Sequence, residues 1–376
     1  MKVLHTESSV NWGGQEYRIL DQMSWLETHG HQTGLAARPG SDIAARAAAI
    51  GLTVHTINYT GHYNPFAIMR MRSIVKRHGY EIADCHGSRD VITQAFARDL
   101  APVIRTRHLS QPLKNKLHRR LQWRHGSDAV IATAEYIKEE ILAKGLAPEA
   151  SIHVIGEWAD EAFFDISRRA QHRNDVRAEF TVPKDEPLVA VVGMLRGDKA
   201  QEHLIRAIAE MKRRFRPVTA LIIGTITNTQ STYEKELQEL AARLGVADAV
   251  RFTGYRNDVP RLTQAANILA ITSIAVEAQS RTAPQAFASL TPVVASDVGG
   301  VSELVQPFET GWLVPPGNAA AYANAFEEIL DEPGRTKGIT KRARVLAEST
   351  LRIDVKMAET LAVYENRIRN TKGLFT

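Results

Sequence analysis

The sequence predicts an α/β protein made of two doubly wound, Rossmann-like domains with a cleft between them. Three observations carry this. Short apolar runs alternate with amphipathic helical patterns along nearly the whole chain, as expected for parallel sheets covered by helices on both faces. The length of 376 residues exceeds what one compact core ordinarily holds. A polar, charged stretch after Gly156 interrupts the alternation, which then starts again.

In the first half the expected strands are KVLHT, TGLAA, TVHTI, IADCH, PVIRT, DAVIATA and IHVIG. Between the first two, Gln15 to Gly30 places Ile19, Leu20, Met23 and Leu26 on one helical stripe. The helical run EYIKEEILAKG closes on Lys144 and Gly145, a C-terminal signal. The stretch EWADEAFFDISRRAQHRNDVRAEFTVPKDEP reads as a connector. Beyond it, PLVAVVGML, VTALIIG, VRFTGY, ILAITS, PVVASD and GWLVP are each followed by a helical pattern. Ligands of such sheets bind beyond the carboxyl ends of the strands, so the informative residues lie just after each strand.

Composition narrows the function classes. A hydrophobic fraction of 44% and a charged fraction of 24% suit a water-exposed globular chain. Cys85 is the single cysteine, which excludes an intramolecular disulfide and fits a reducing compartment; it is expected in the core. MKVLHTESS reads as a strand rather than a leader, and no apolar run approaches the ~20 residues of a membrane span. The expected location is cytoplasmic. A formal charge of +5 favours anionic partners. No zinc-finger or RNA-binding signature points to nucleic acid. No HExxH, HxxxH or cysteine cluster supports a metal, no GxGxxG supports a dinucleotide, and no GxSxG elbow supports a serine hydrolase.

Several strand ends offer chemistry. Gly13 and Gly14 in NWGGQEYRIL follow the first strand and open a helix, forming either a plain turn or a place where a ligand approaches the backbone. VVGMLRGDKAQEHLIRA ends a buried strand at Gly193 and offers Arg196 and Lys199, either a diphosphate site or a solvated loop. Gly224 ends the strand of LIIGTITNT, where backbone can face a ligand. Tyr255 and Arg256 follow Gly254, where they either border a base or merely cover the strand end. In EAQSRTAPQAFASLTPVVASDVGG, Glu277 stands where a sugar hydroxyl or ribose would be held, ahead of an expected helix. His86 and His108 each close a first-domain strand, and two such histidines on one sheet suggest more than packing. PLKNKLHRRLQWRHGSD is a basic helical pattern with Leu113, Leu117, Leu121 and Trp123 on one side. It is either an interfacial helix for an anionic membrane or a core-facing helix with a solvated basic face.

In this order the motifs resemble the GT-B glycosyltransferases of the retaining family-4 type. GGQEYRIL resembles the family's first glycine loop, and GMLRGDKAQEHLIRA resembles its G-R-L-x-x-x-K-G phosphate loop. RFTGYRNDVPRLTQAANILAITS resembles the segment before its acidic motif. EAQSRTAPQAFASLTPVVASDVGGVSELV with TGWLVPPGN resembles its E-x7-E motif and the segment after it. Met194 stands where the family has arginine, Gln285 in place of the second glutamate, and Leu290 in place of a glycine. GEWAD keeps only Asp160 of the interdomain motif.

The resemblance implies an N-terminal acceptor-side domain over 1–157 and a nucleotide-sugar domain over 158–351, with helix 352–376 packing back on the first. It implies that Lys199 and Arg196 bind the donor diphosphate with the backbone N–H groups of Ser280, Arg281 and Thr282. Gln285 would hold the ribose through its amide, Glu277 the donor sugar and His108 the transferred sugar. Gly14 gives room for donor or acceptor, while Gly13 and His86 fall on the acceptor side. The implied activity is retaining transfer of a sugar from a nucleotide-sugar to a glycan or lipid-linked acceptor, in lipopolysaccharide or surface-polysaccharide assembly. No cofactor or metal is expected, and the basic helix 112–125 would touch the inner face of the cell membrane. The competing readings are a nucleotide-sugar epimerase, a phosphorylase, or a non-catalytic nucleotide-sugar or glycan binder, the last suggested by Met194 and Gln285.

Overall fold

The computed structural model describes residues 1–61, 63–108, 113, 117–226, 232–275 and 277–372. It divides into two compact units: Met1–Gly156 together with the C-terminal residues from Lys356, and Glu157–Val355. Boundaries at 157/158 and 351/352 were expected; the division falls at 156/157 and 355/356. The last helix, Ile353–Lys372, begins within the second unit, where Arg352 pairs with Ala159.

The first unit holds seven strands: β1 (Lys2–Glu7), β2 (Gln32–Ala37), β3 (Val54–Thr56), β4 (Ile82–Cys85), β5 (Val103–Arg107), β6 (Ala129–Ala132) and β7 (Ile152–Val154). They form one parallel sheet in the order β3-β2-β1-β4-β5-β6-β7. The second unit holds six: β8 (Leu188–Val192), β9 (Thr219–Ile223), β10 (Val250–Gly254), β11 (Ile268–Ile271), β12 (Val293–Ser296) and β13 (Trp312–Val314). Their order is β10-β9-β8-β11-β12-β13, again parallel. The two doubly wound α/β sheets that the sequence predicts are therefore observed.

Period-two alternation with both faces buried explains why most positions in these strands are apolar. Val189, Val191, Ala220 and Ile222 pack on one face of the second sheet with Leu204 and Ile208 of the helix Glu202–Arg213. Their neighbours Leu188, Ala190, Leu221 and Ile223 pack on the other face with Leu262 and Phe287. In the first unit, Leu4, Ala36, Ala83 and Val103 share a core with Met71 and Val75. Leu35 and Ala37 face Ile19 and Met23. Cys85 is buried, as expected.

Both sheets reverse their strand order once, between β1 and β4 and between β8 and β11. Chains leaving two neighbouring strands in opposite directions open a crevice at their carboxyl ends, which is where α/β sheets take ligands.

The basic run 112–125 falls partly outside the described residues, which omit Pro112, Lys114, Asn115 and Lys116. The helix runs Leu117–Gly126. The expectation that Leu121 and Trp123 share a side is corrected: Trp123 is 7% exposed and Leu121 52%. Two positions on a helix are about 200° apart, so they face opposite ways. The Arg105 guanidinium lies 4.1 Å over the Trp123 ring.

Leu290, at the expected glycine position, has φ +54. This left-handed backbone brings Cβ against the following carbonyl and costs roughly 1–2 kcal/mol for a side-chain-bearing residue. Leu290→Gly is expected to stabilise the protein by up to about 1 kcal/mol, the relieved strain being partly offset by glycine's greater unfolded-state entropy. Chemical denaturation of both forms checks this; a less stable variant refutes it.

Candidate active site

In the second unit the loops after β8 and β11 meet at the reversal point. The strands are register neighbours, with Val189 opposite Ile268 and Val191 opposite Ala270. Beyond them the loops are tied together: the Thr272 hydroxyl donates to the Lys199 carbonyl at 2.7 Å, and the Ile274 N–H donates to the Asp198 carbonyl at 3.1 Å. Ala200, fully buried at φ +50, makes the sharp turn after Lys199. Gln201 donates its side-chain amide to the Met194 carbonyl at 2.9 Å, closing the loop from its other end.

This frame sets Lys199 against Glu277. The ammonium lies 2.5 and 2.6 Å from the two carboxylate oxygens, and the Ser273 hydroxyl donates to one of them at 2.6 Å. Burial works to raise the Glu277 pKa, but the Lys199 charge and these hydrogen bonds outweigh it and hold the carboxyl below its ordinary value. Glu277 is thus ionised and forms a salt bridge in a partly desolvated site. Its backbone is fixed as well: the Gly300 N–H donates to the Glu277 carbonyl at 3.0 Å, and a Cβ on Gly299 (φ +55) would fall 2.0 Å from that oxygen. The two glycines of VASDVGG therefore serve the placement of Glu277.

The remaining second-unit candidates divide. Arg196 shares the Lys199 loop but forms a two-pronged ion pair with Asp198. Ser280, Arg281 and Thr282 precede and open the helix Thr282–Ala288, whose first N–H groups have no partner within the helix. The Ser280 and Thr282 hydroxyls bond each other at 2.9 Å. The Arg281 side chain turns to Asp160, 3.3 Å away, and lies 5.8 Å over the Trp158 ring. Gln285 is half-buried on that helix, and among the described residues its amide makes no hydrogen bond. Gly224 is required locally, since a Cβ there would lie 1.9 Å from the Gly193 carbonyl oxygen. Tyr255 and Arg256 follow β10, the edge strand, two strands removed from β8. Tyr255 is exposed, while Arg256 pairs with Asp258 and Glu179, both at 2.8 Å. The structure does not bring these two to Lys199.

In the first unit, His86 and His108 do come together, joined by a third histidine. His86 Nδ1 lies 2.8 Å from His108 Nε2, and His86 Nε2 lies 3.0 Å from His5 Nδ1. Burial, with mutual repulsion, pushes the His5 pKa down to about 3; burial with the Arg18 charge does the same to His86, and His108 is pushed well below its ordinary value. All three are neutral at pH 7. Asp84, the register partner of His5, accepts hydroxyl hydrogen bonds from Thr106 at 2.6 Å and Tyr364 at 2.5 Å. Gly13 caps the helix Gly14–Thr28, and a Cβ on Gly14 would meet no atom within 4 Å.

Sequence reasoning missed His5, Asp84, Glu7 and Asp90. For His5, Glu7 and Asp84 the available signal was a polar residue inside a strand that must be buried on both faces, as in KVLHTE and IADC; Asp90 lies on the helix Ser88–Ala95 and carries no such signal. Among the described residues, His5, Asp84 and His86 also bring donor atoms close enough together to hold a metal ion.

Known proteins share this fold. Residues 12–163 match the family model Glycosyltransferase Family 4, and residues 172–346 match Glycosyl transferases group 1. D-inositol 3-phosphate glycosyltransferase of Gordonia bronchialis is 32% identical over 228 residues, covering 59% of this chain and 49% of that relative. Alpha-D-kanosaminyltransferase of Streptomyces kanamyceticus is 25% identical over 238 residues, covering 63% and 60%. The chain thus spans about half the length of these relatives. Among solved structures, a glycosyltransferase from Rickettsia africae superposes with a TM-score of 0.88 at 20% identity, covering 98% of this chain and 99% of that one. Anabaena Alr3699/HepE in complex with UDP gives 0.83 at 22% identity, covering 96% and 100%. Two doubly wound parallel sheets of this order define the GT-B architecture. The chain belongs to the GT-B glycosyltransferases of the family-4 type.

One first-unit group makes folding sensitive to alkali. Glu7 ends β1, where its carboxylate accepts the Ser9 N–H at 2.6 Å and the Gln15 side-chain amide. Burial, then the nearby Asp90 and Glu16 carboxyls, push its pKa up from 4.5 to about 8. Between those values the folded state keeps a proton that the unfolded state has lost, so stability falls as pH rises through this window and levels above it. Glu7→Gln is expected to raise Tm relative to the parent at about pH 8.5 and to leave it nearly unchanged at about pH 5. An equal Tm difference at both pH values refutes the assignment.

Proposed function

We propose that this protein is a retaining glycosyltransferase that moves a sugar from a nucleotide-sugar donor to a glycan or lipid-linked acceptor, in surface-polysaccharide or lipopolysaccharide assembly. The observation that carries this reading is the Lys199–Glu277 pair at the β8/β11 reversal, beside the backbone N–H groups of Ser280, Arg281 and Thr282 at a helix start. Relatives with this family's domains are named for glycosyl transfer, and the Anabaena neighbour is described in complex with UDP-glucose.

The chemistry follows from charge. Breaking a sugar–diphosphate bond puts growing negative charge on the departing phosphate. A fixed ammonium and oriented N–H dipoles stabilise that charge without reorganising. In the resting site Lys199 is held by Glu277; an arriving diphosphate competes for the ammonium and leaves the carboxylate free to accept a sugar hydroxyl. Ser273 and Gly300 keep Glu277 in place through that exchange. Arg196 reaches the diphosphate by releasing Asp198, and Gln285 offers its amide to the ribose. His108 is the first unit's candidate contact for the transferred sugar, with His86 behind it. Retention proceeds here by same-face attack, and no protein nucleophile is assigned.

With UDP-glucose as the first donor screened, release of UDP is measured in the presence of candidate acceptors. Lys199→Ala and Glu277→Ala are each expected to lower turnover by about 10²-fold or more. Unchanged turnover in both variants overturns the site.

A lipid-linked acceptor implies work at an anionic membrane surface. Among the described residues no helix is long and apolar enough to cross a membrane. On the helix Leu117–Gly126, exposed Leu121 lies beside Arg120 and Arg124, and on Pro65–His78 the side chains of Phe66 and Met69 are 81% and 68% exposed. Apolar tips with a basic rim suit an interface of this kind. Sedimentation with phosphatidylglycerol vesicles, but not with phosphatidylcholine vesicles, is expected, weakening in Arg120→Glu/Arg124→Glu and at ~1 M salt. Equal sedimentation with both lipids refutes it.

A further inference from the structure

His5, His86 and His108 come from the ends of β1, β4 and β5, three adjacent strands. Their rings follow one another, His5 and His86 near-parallel with centroids 5.4 Å apart and His86 and His108 tilted by 35° with centroids 5.0 Å apart. Each neutral imidazole has one N–H and one bare nitrogen. Two hydrogen bonds through three such rings permit only two arrangements. In one, every ring carries its proton on Nε2: His108 donates to His86, and His86 donates to His5. In the other, every ring carries it on Nδ1, and both bonds run the opposite way.

Hydrogen bonding at the ends of the chain does not choose between them. His5 Nε2 and His108 Nδ1 are buried and, among the described residues, have no hydrogen-bond partner. Either arrangement leaves one unpaired donor and one unpaired acceptor, so the cost is similar in both. The asymmetry comes from the middle. An Asp84 carboxyl oxygen lies 3.8 Å from His86 Nε2, beyond hydrogen-bond range but close enough to act through its charge. Both Asp84 oxygens accept hydroxyls, from Thr106 and Tyr364, which fixes the carboxyl in position. An oxygen there, charged or neutral, places negative potential at Nε2 and favours the proton on that nitrogen.

We infer that the three histidines form a tautomer relay whose sense is set by Asp84, so that His108 offers a bare Nδ1 as an acceptor for a ligand hydroxyl. Asp84, His86 and His5 are positioning residues, acting on a ligand only through His108. The hydroxyl part of the assignment rests on the proposed role of His108 with the sugar; the relay itself does not. Reversal is balanced: a proton enters at His108 Nδ1, the Nε2 proton of His108 passes to His86 Nδ1, that of His86 passes to His5 Nδ1, and the Nε2 proton of His5 leaves. The same geometry argues against a metal ion in this group. The facing nitrogens of His5 and His86 are engaged with each other, and both Asp84 oxygens already hold hydroxyls.

The test is nitrogen NMR of the full-length protein labelled with ¹⁵N-histidine, with His5→Gln, His86→Gln and His108→Gln used to assign signals. In the parent protein His108 is expected to show a bare Nδ1 and a protonated Nε2, with His5 and His86 in the same tautomer and one sense favoured roughly tenfold or more. Asp84→Leu, which removes both oxygens, should bring the two senses towards parity in all three rings together. His86→Phe keeps a buried ring but cuts the relay, and should release His108 from that single tautomer; it provides the answer if Asp84→Leu does not fold. A protonated His108 Nδ1 in the parent, unchanged tautomers in a folded Asp84→Leu, or stoichiometric zinc bound to the purified chain would each overturn the relay. UDP release from UDP-glucose is measured in parallel. The expected tautomers without turnover would count against the transferase reading alone, and turnover with the opposite tautomers against the relay alone.

Discussion

The constraint behind this structure is the burial of a parallel sheet on both faces. A strand in such a sheet has no wet side, so a polar side chain on it must either reach the carboxyl end or find partners inside. In each unit the polar residues accumulate where the strand order reverses, the one place where neighbouring strands send their chains apart. The second unit meets the constraint with a salt bridge, Lys199 to Glu277, in which opposite charges offset their desolvation. The first meets it by neutrality: burial holds the His5, His86 and His108 rings uncharged and raises the Glu7 carboxyl. Two copies of one architecture thus carry opposite electrostatic solutions.

The fold was legible in the sequence because its signal is local. Each strand is a short apolar run bounded by glycine, proline or a helix start, and every expected run has its counterpart among the thirteen strands. Lys199 and Glu277 stand out in the sequence for a similar reason, since each lies in the loop that follows a strand. Their partnership was not legible. It depends on β8 and β11 being neighbours across 75 residues of intervening chain, with Thr272 tying the second loop to the first.

The misses have physical causes. Arg256 looked available because its acidic partners are of two kinds: Asp258, two residues on, and Glu179, remote in sequence. Trp123 was grouped with Leu121 by its apolar character, although helical spacing sets the two on opposite sides. His5 and Asp84 were passed over because each interrupts an apolar run by one residue, which reads as noise until the register sets them side by side. Tyr364 is separated from the Asp84 it serves by 280 positions, so no local pattern could have linked them.

That last bond bears on how the chain acquires its shape. Ala159 bonds the Leu351 carbonyl and pairs with Arg352, so the strands of chain entering and leaving the second unit run side by side. Topologically the second unit is an insertion: 157–355 is continuous and closed at its base, while the first unit is split around it. During synthesis the inserted unit has all its residues before the host does. The host's buried Asp84 lacks this hydrogen bond until Tyr364, made after the whole inserted unit, has emerged. The unit whose chain begins first is thus the one whose residues are completed last.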